Sequence, residues 1–238
     1  MLIPDPTAIF TQAQTAWSAR AIPAYESFTL PCSSTLLADR CSADTQVQFI
    51  VRLSDGRYFA QTIAADGRPA TVLVHGGDIV GPAGAPFGFY RRAPVPGATA
   101  AAPSNLAKDP IATIATVTAM DRAYEITLTG TEQIGAYSCY HLRLRPLRDP
   151  QNYLLRDLWV DTTTYEVVRL NYAWPFNGTT ADITYDFAPV GPQATWTIVH
   201  IQAQAVSHGL FTTHVDRVDE NLQNIAFPAS EPDADFTP

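Results

Sequence analysis

The chain has 238 residues, 46% of them hydrophobic and 16% charged, with a formal net charge of −8. That balance belongs to a folded globular chain. The acidic surplus, with a single lysine at Lys108, excludes the basic footprint that nucleic acid or an anionic membrane surface requires.

No run of 18 apolar residues is present, so no transmembrane helix is expected. The start, MLIPDPTAIFTQ, lacks the basic and apolar regions of a signal peptide. The chain is therefore read as either cytosolic or a mature domain whose leader has been removed.

The first element is a helix. Asp5 stands as cap and Pro6 at the first helical position. Ile9, Phe10, Ala13, Ala16 and Trp17 then recur on one stripe. After Pro23 the period changes to two. An opening strand near Tyr25–Leu30 is followed by alternating runs separated by Ser54-Asp55-Gly56 and Ala65-Asp66-Gly67, which predict a three-stranded meander over residues 46–75.

Residues 76–110 are rich in Gly, Pro and Ala. The segment is too long for an ordinary connection and reads as a flap. Phe87, Phe89 and Tyr90 lie within it, and aromatics in such a loop dock either on the protein's own core or on a ligand.

The period of two then resumes in IATIATVTA, AYEITLTGTEQI, YSCYHLRLRPL, YLLRDLWVD, YEVVRLNYAW, TADITYDFAPV, TWTIVHIQAQ and LFTTHVDRV. The end of the chain is expected to hold a short helical turn at most and a loose acidic tail over 229–238. A sheet of about 11–12 antiparallel strands must curl. The expected fold is therefore mainly β: an incomplete β-barrel with an N-terminal helix and a long flap, in one domain spanning 1–238.

The hairpin YLLRDLWVDTTTYEVVRLNY, residues 153–172, sets the main question. One face carries Leu154, Arg156, Leu158 and Val160; the other carries Leu155, Asp157, Trp159 and Asp161. A register error of one residue swaps the faces, so the pattern leaves open whether Leu158 or Trp159 points inward. The plainer reading is a core hairpin with a rim tryptophan. The other reading is an open apolar pocket.

Cys32 and Cys41 bracket PCSSTLLADRC and are open to two readings, a disulfide or two thiols. Cys139 reads as a small buried hydrophobe. No HExxH, zinc-spaced Cys/His pair, GxSxG elbow, P-loop or GxGxxG is present in context, so neither metal nor cofactor is expected. His200, His208 and His214 could converge on neighbouring strands. The pairs Asp157/Asp161 and Asp216/Glu220 read as solvent-facing charges, and Asn177-Gly178-Thr179 reads as a hairpin turn rather than a glycosylation site.

The segment YHLRLRPLRDPQNYLLRDLWVDTTTYEVVRL resembles the central strands of outer-membrane lipoprotein-sorting proteins, the LolA/LolB-like group, where an LWVD strand precedes a turn and a second strand. The helix with its Trp, the Asp-Gly hairpins, the AYEITLTGTEQI strand, ITYDFAPVG and a closing IAFP follow the same order, from about Thr7 to Pro228. The resemblance implies an incomplete barrel with an apolar cavity for acyl chains, in a divergent bacterial member that is periplasmic or extracellular. That setting favours the trimmed-leader reading and a Cys32–Cys41 disulfide.

The expected function is a monomeric, non-catalytic binding protein for a lipid, acyl chain or acylated protein, possessing transport or carrier character. Phe10, Trp17, Phe49, Val51, Phe87, Phe89, Tyr90, Leu158 and Trp159 are the expected cavity residues. Two alternatives stand beside it: an envelope interaction module with a self-filled core, and a hydrolase using the His200/His208/His214 region.

Overall fold

A computed structural model describes residues 4–33, 41–42, 44–54, 57–78, 124–148, 150, 153–176, 179–208 and 212–236. The predicted flap residues Phe87, Phe89 and Tyr90, the IATIATVTA strand and the Asn177-Gly178 turn lie outside the described residues.

Helix α1 runs Pro6–Ala19. The Asp5 carboxylate accepts from the Thr7 amide at 3.1 Å, as a cap should. Of the stripe the spacing predicts, Ile9, Phe10, Ala13 and Trp17 are buried and Ala16 is half-buried. The helix stops where Arg20 turns extended (φ −62°, ψ 132°), and Pro23 follows.

Twelve strands follow among the described residues: β1 Tyr25–Pro31, β2 Gln46–Arg52, β3 Arg57–Ile63, β4 Pro69–Asp78, β5 Tyr124–Ile134, β6 Tyr137–Pro146, β7 Leu155–Asp161, β8 Val167–Phe176, β9 Thr179–Val190, β10 Thr195–His208, β11 Thr213–Asn221 and β12 Gln223–Ala226. All pairings are antiparallel. The β3–β4 turn closes through Gly67 at φ 81°, with the Ala64 amide bonded to the Arg68 carbonyl at 2.8 Å.

The strands form two sheets, ordered β12-β1-β2-β3-β4 and β11-β10-β9-β8-β7-β6-β5. Only Leu222 separates β11 from β12, and its amide donates to the Val199 carbonyl at 2.9 Å. One ribbon therefore edges both sheets, and among the described residues the array is open, not closed into a barrel. The expected curled sheet is realised as two sheets joined through this ribbon. Strand β12 was not foreseen; it lies in the segment read as a short helical turn. Its partner β1 is almost two hundred residues away, and no local pattern announces such a pairing.

One apolar cluster unites α1 with both sheets: Phe10 and Trp17 from the helix, Phe28, Phe49 and Val51 from the five-stranded sheet, Leu158, Leu170 and Tyr185 from the seven-stranded one. Its buried phenols are satisfied. The Tyr172 and Tyr185 hydroxyls lie 2.7 Å apart, and the Tyr124 hydroxyl accepts from the Leu155 amide at 3.2 Å. Burial pushes the Tyr124 phenol well above its ordinary range.

The acidic tail departs from expectation. A 3-10 helix at Asp233–Phe236 buries Phe236 against Ile50 and Phe59, with Tyr25 alongside. Arg57 Nη1 donates to the Phe236 carbonyl at 3.0 Å. The tail therefore docks on the outer face of the five-stranded sheet, because Ile50 and Phe59 leave an apolar patch there. Near the first strand, Cys32 and Cys41 are joined by a disulfide with Cα atoms 5.9 Å apart.

Candidate ligand cleft

The LWVD segment resolves into three separate roles. Leu158 and Val160 are fully buried in the core. Trp159 lies on the opposite face, stacked on His141 with ring centroids 4.3 Å apart, its Nε1 donating to Glu132 at 2.9 Å. Asp161 Oδ1 accepts from the amides of Thr163 and Thr164 at 3.0 and 2.7 Å and from the Thr164 hydroxyl at 2.9 Å. It caps the turn, which allows Tyr165 its positive φ of 60°. Neither Asp161 nor Asp157 is the plain solvent-facing charge expected: Asp161 is buried, and Asp157 accepts from His141 and Arg143.

Of the predicted cavity residues, Phe10, Trp17, Phe49, Val51 and Leu158 converge in one cluster. Trp159 does not join them. It belongs to the outer face, so its cavity role is corrected. Much of the concave face is filled by α1 itself.

A cleft of about 80 Å³ opens where α1 stops. Its walls are Trp17 and Ile22 at the helix end, Leu53 after β2, Phe187 on β9, Trp196 on β10 and Phe227 after β12. Trp17 and Phe187 meet edge to face at 5.2 Å. Thr195 and Phe227 are shared with an adjoining hollow of about 320 Å³ beside the β9–β10 turn, lined also by Val190, Pro192 and Ile225. Sequence reasoning found Trp17 but not Phe187, Trp196 or Phe227. Each sits in a strand or tail pattern that carries no ligand signal of its own.

Two charged side chains, Arg20 and Glu26, line the cleft. The Arg20 guanidinium lies 3.9 Å from the Trp17 ring centroid and 5.2 Å from that of Trp196. Its Nε donates to Glu166 at 2.8 Å and its Nη2 to the Val167 carbonyl at 3.2 Å, which ties the helix end to β8. Glu26 is buried, and the Thr197 hydroxyl lies 2.8 Å from both its carboxylate oxygens. That contact joins β1 of one sheet to β10 of the other. A buried carboxylate is tolerable only with such hydrogen bonding.

The three histidines considered for catalysis do not converge. His200 bonds Asp186 at 3.0 Å and Asp219 at 2.7 Å. His208 and His214 belong to the far end of the β10–β11 ladder, where Ser207 faces His214 and His208 faces Thr213. Eight residues of strand separate His200 from His208, about 26 Å at roughly 3.3 Å per residue. Among the described residues, no three His, Cys, Asp or Glu side chains are grouped to hold a metal ion, and no helix is long and apolar enough to cross a membrane.

No family model and no curated protein matches this sequence. Among solved structures, a Vibrio parahaemolyticus domain carrying an outer-membrane lipoprotein-sorting name is similar at 12% identity, over 95% of this chain and 94% of that one, with a TM-score of 0.35. A DUF1329 family protein from Desulfovibrio piger is similar at 12% identity over 98% of each chain, with a TM-score of 0.40. A LolA superfamily protein from Nitrosomonas europaea is similar at 11% over 99% of each, with a TM-score of 0.32.

Proposed function

We propose that this is a non-catalytic binding protein of the cell envelope, which takes the apolar end of a lipid or acyl chain into the cleft at the end of α1. The observation that carries the reading is the cleft itself. Four aromatic rings, Trp17, Phe187, Trp196 and Phe227, surround an opening at the end of a core that α1 otherwise fills. The narrow part has room for about three water-sized groups at roughly 30 Å³ each, which suits a chain end. The adjoining hollow reaches the lower end of the range for ligand pockets, about 300 Å³. Arg20 and Glu26 supply a polar edge for the head of an amphiphile. Phe10, Phe49, Val51 and Leu158 form the packed floor behind the cleft, reached by a ligand only if α1 shifts. The lipid-carrier role, a periplasmic or extracellular location and a lipid or acylated partner belong to this same reading.

The test is mass spectrometry of an organic extract of the purified protein, with a denatured aliquot as control, followed by titration with a fluorescent acyl-chain probe. Trp196→Ala and Phe227→Ala should each weaken the probe about tenfold, the weight of about 1.4 kcal/mol, while Trp159→Ala should leave it unchanged. A second reading, an envelope interaction module with a self-filled core, is favoured by the burial of Ile9, Phe10, Ala13 and Trp17. An empty extract and an unbound probe would replace the first reading with the second.

A further inference from the structure

The outer face of the seven-stranded sheet carries a polar row that crosses its strands. His141, Trp159, Arg169, Asp186 and His200 stand directly opposite one another in register from β6 to β10. Arg169 grips Asp186 through Nε and through Nη2, the latter at 2.8 Å. At one end His141 lies between Glu132 at 2.6 Å and Asp157 at 2.8 Å. At the other end His200 lies between Asp186 and Asp219.

The chemistry of His200 follows from this placement. Nδ1 faces one carboxylate at 3.0 Å and Nε2 faces another at 2.7 Å. An ionised carboxylate only accepts hydrogen bonds. A neutral imidazole has one N–H and can serve one of the two, leaving its lone pair against the other; the imidazolium serves both. The charged groups facing it from the neighbouring strands are Asp186 on β9, itself held by Arg169 of β8, and Asp219 on β11. Gln202 of its own strand also reaches Asp219, at 3.5 Å, and Asn221 is its register partner on β11.

We propose that the His200 imidazolium is a pH-sensitive clasp, which ties β9, β10 and β11 together under mildly acidic conditions and loosens them as the pH rises. Burial disfavours the charged ring, but the hydrogen bonds and charges of Asp219 and Asp186 outweigh it and hold the imidazole above its ordinary pKa. Such a group contributes fully below the free-histidine value of about 6.5 and loses its contribution as pH climbs through the folded value. The hydrogen bond from His200 holds the Asp219 carboxyl below its ordinary range. That side of the clasp is complete above the ordinary aspartate value of about 3.9 and fails as pH falls below it. The clasp is therefore fully closed between about pH 4 and 6.5.

Histidine-detected NMR titration tests this, with the His200 signal assigned by its loss in His200→Gln, alongside amide hydrogen exchange of β9–β11 at pH 6 and pH 8, corrected for intrinsic rates. His200 is expected to titrate above free histidine. Asp219→Asn should bring that midpoint down and abolish the pH-dependent loss of protection in β10 and β11. Asp219 is largely exposed, so this variant keeps the test intact even if His200→Gln fails to fold. A His200 midpoint at or below that of free histidine overturns the clasp. So does an Asp219→Asn protein that loses protection between pH 6 and 8 as the wild type does.

Discussion

Leu158 and Trp159 are neighbours in sequence and occupy opposite worlds. Leu158 is fully buried in the shared core, while Trp159 stands in the polar row of the outer face. The inner face is held by non-directional burial, which scales with apolar area. The outer face is held by directional bonds in register across five strands, from His141 to His200. The difference shows how one sheet can use two kinds of cohesion, with a tryptophan serving the second kind through its stack and its N–H.

That contrast can be broken at three positions of one hairpin. Leu158→Ala should cost most, about 2–5 kcal/mol, because it removes buried methyl groups and leaves a cavity; a urea melt reads it as a lower midpoint with an unchanged slope. Asp161→Ala should cost about 1–2 kcal/mol, since three donors at the turn lose their acceptor. Hydrogen exchange should place that loss at the β7–β8 turn. Trp159→Ala should cost least, about 0.5–1.5 kcal/mol beyond its modest burial, the worth of an aromatic stack. If Trp159→Ala proved as damaging as Leu158→Ala in the same melt, the division between the faces would not hold.

Much of the fold was legible locally. Asp5, Pro6 and the Ile9–Trp17 stripe mark the helix because capping and the 3.6-residue period are properties of adjacent residues. Strands β1 to β11 follow from alternation, and the Ala65-Asp66-Gly67 turn from its left-handed glycine. The candidate site was legible only at Trp17. Phe187, Trp196 and Phe227 come to the cleft from three separate parts of the chain, and nothing in their neighbours marks them.

The sequence by itself determined the types and order of α1 and β1 to β11 and the acidic balance of the chain. Tertiary structure decided which face of β7 is the inside, because an inversion of one residue leaves the alternation unchanged. It decided that Gln223–Ala226 is a strand, since its partner is β1 and not its neighbour. It decided that Phe236 docks on Ile50 and Phe59, and that His200 meets two carboxylates while His208 stands far along the same strand. Each of these depends on contacts between residues separated in sequence, which no local pattern encodes.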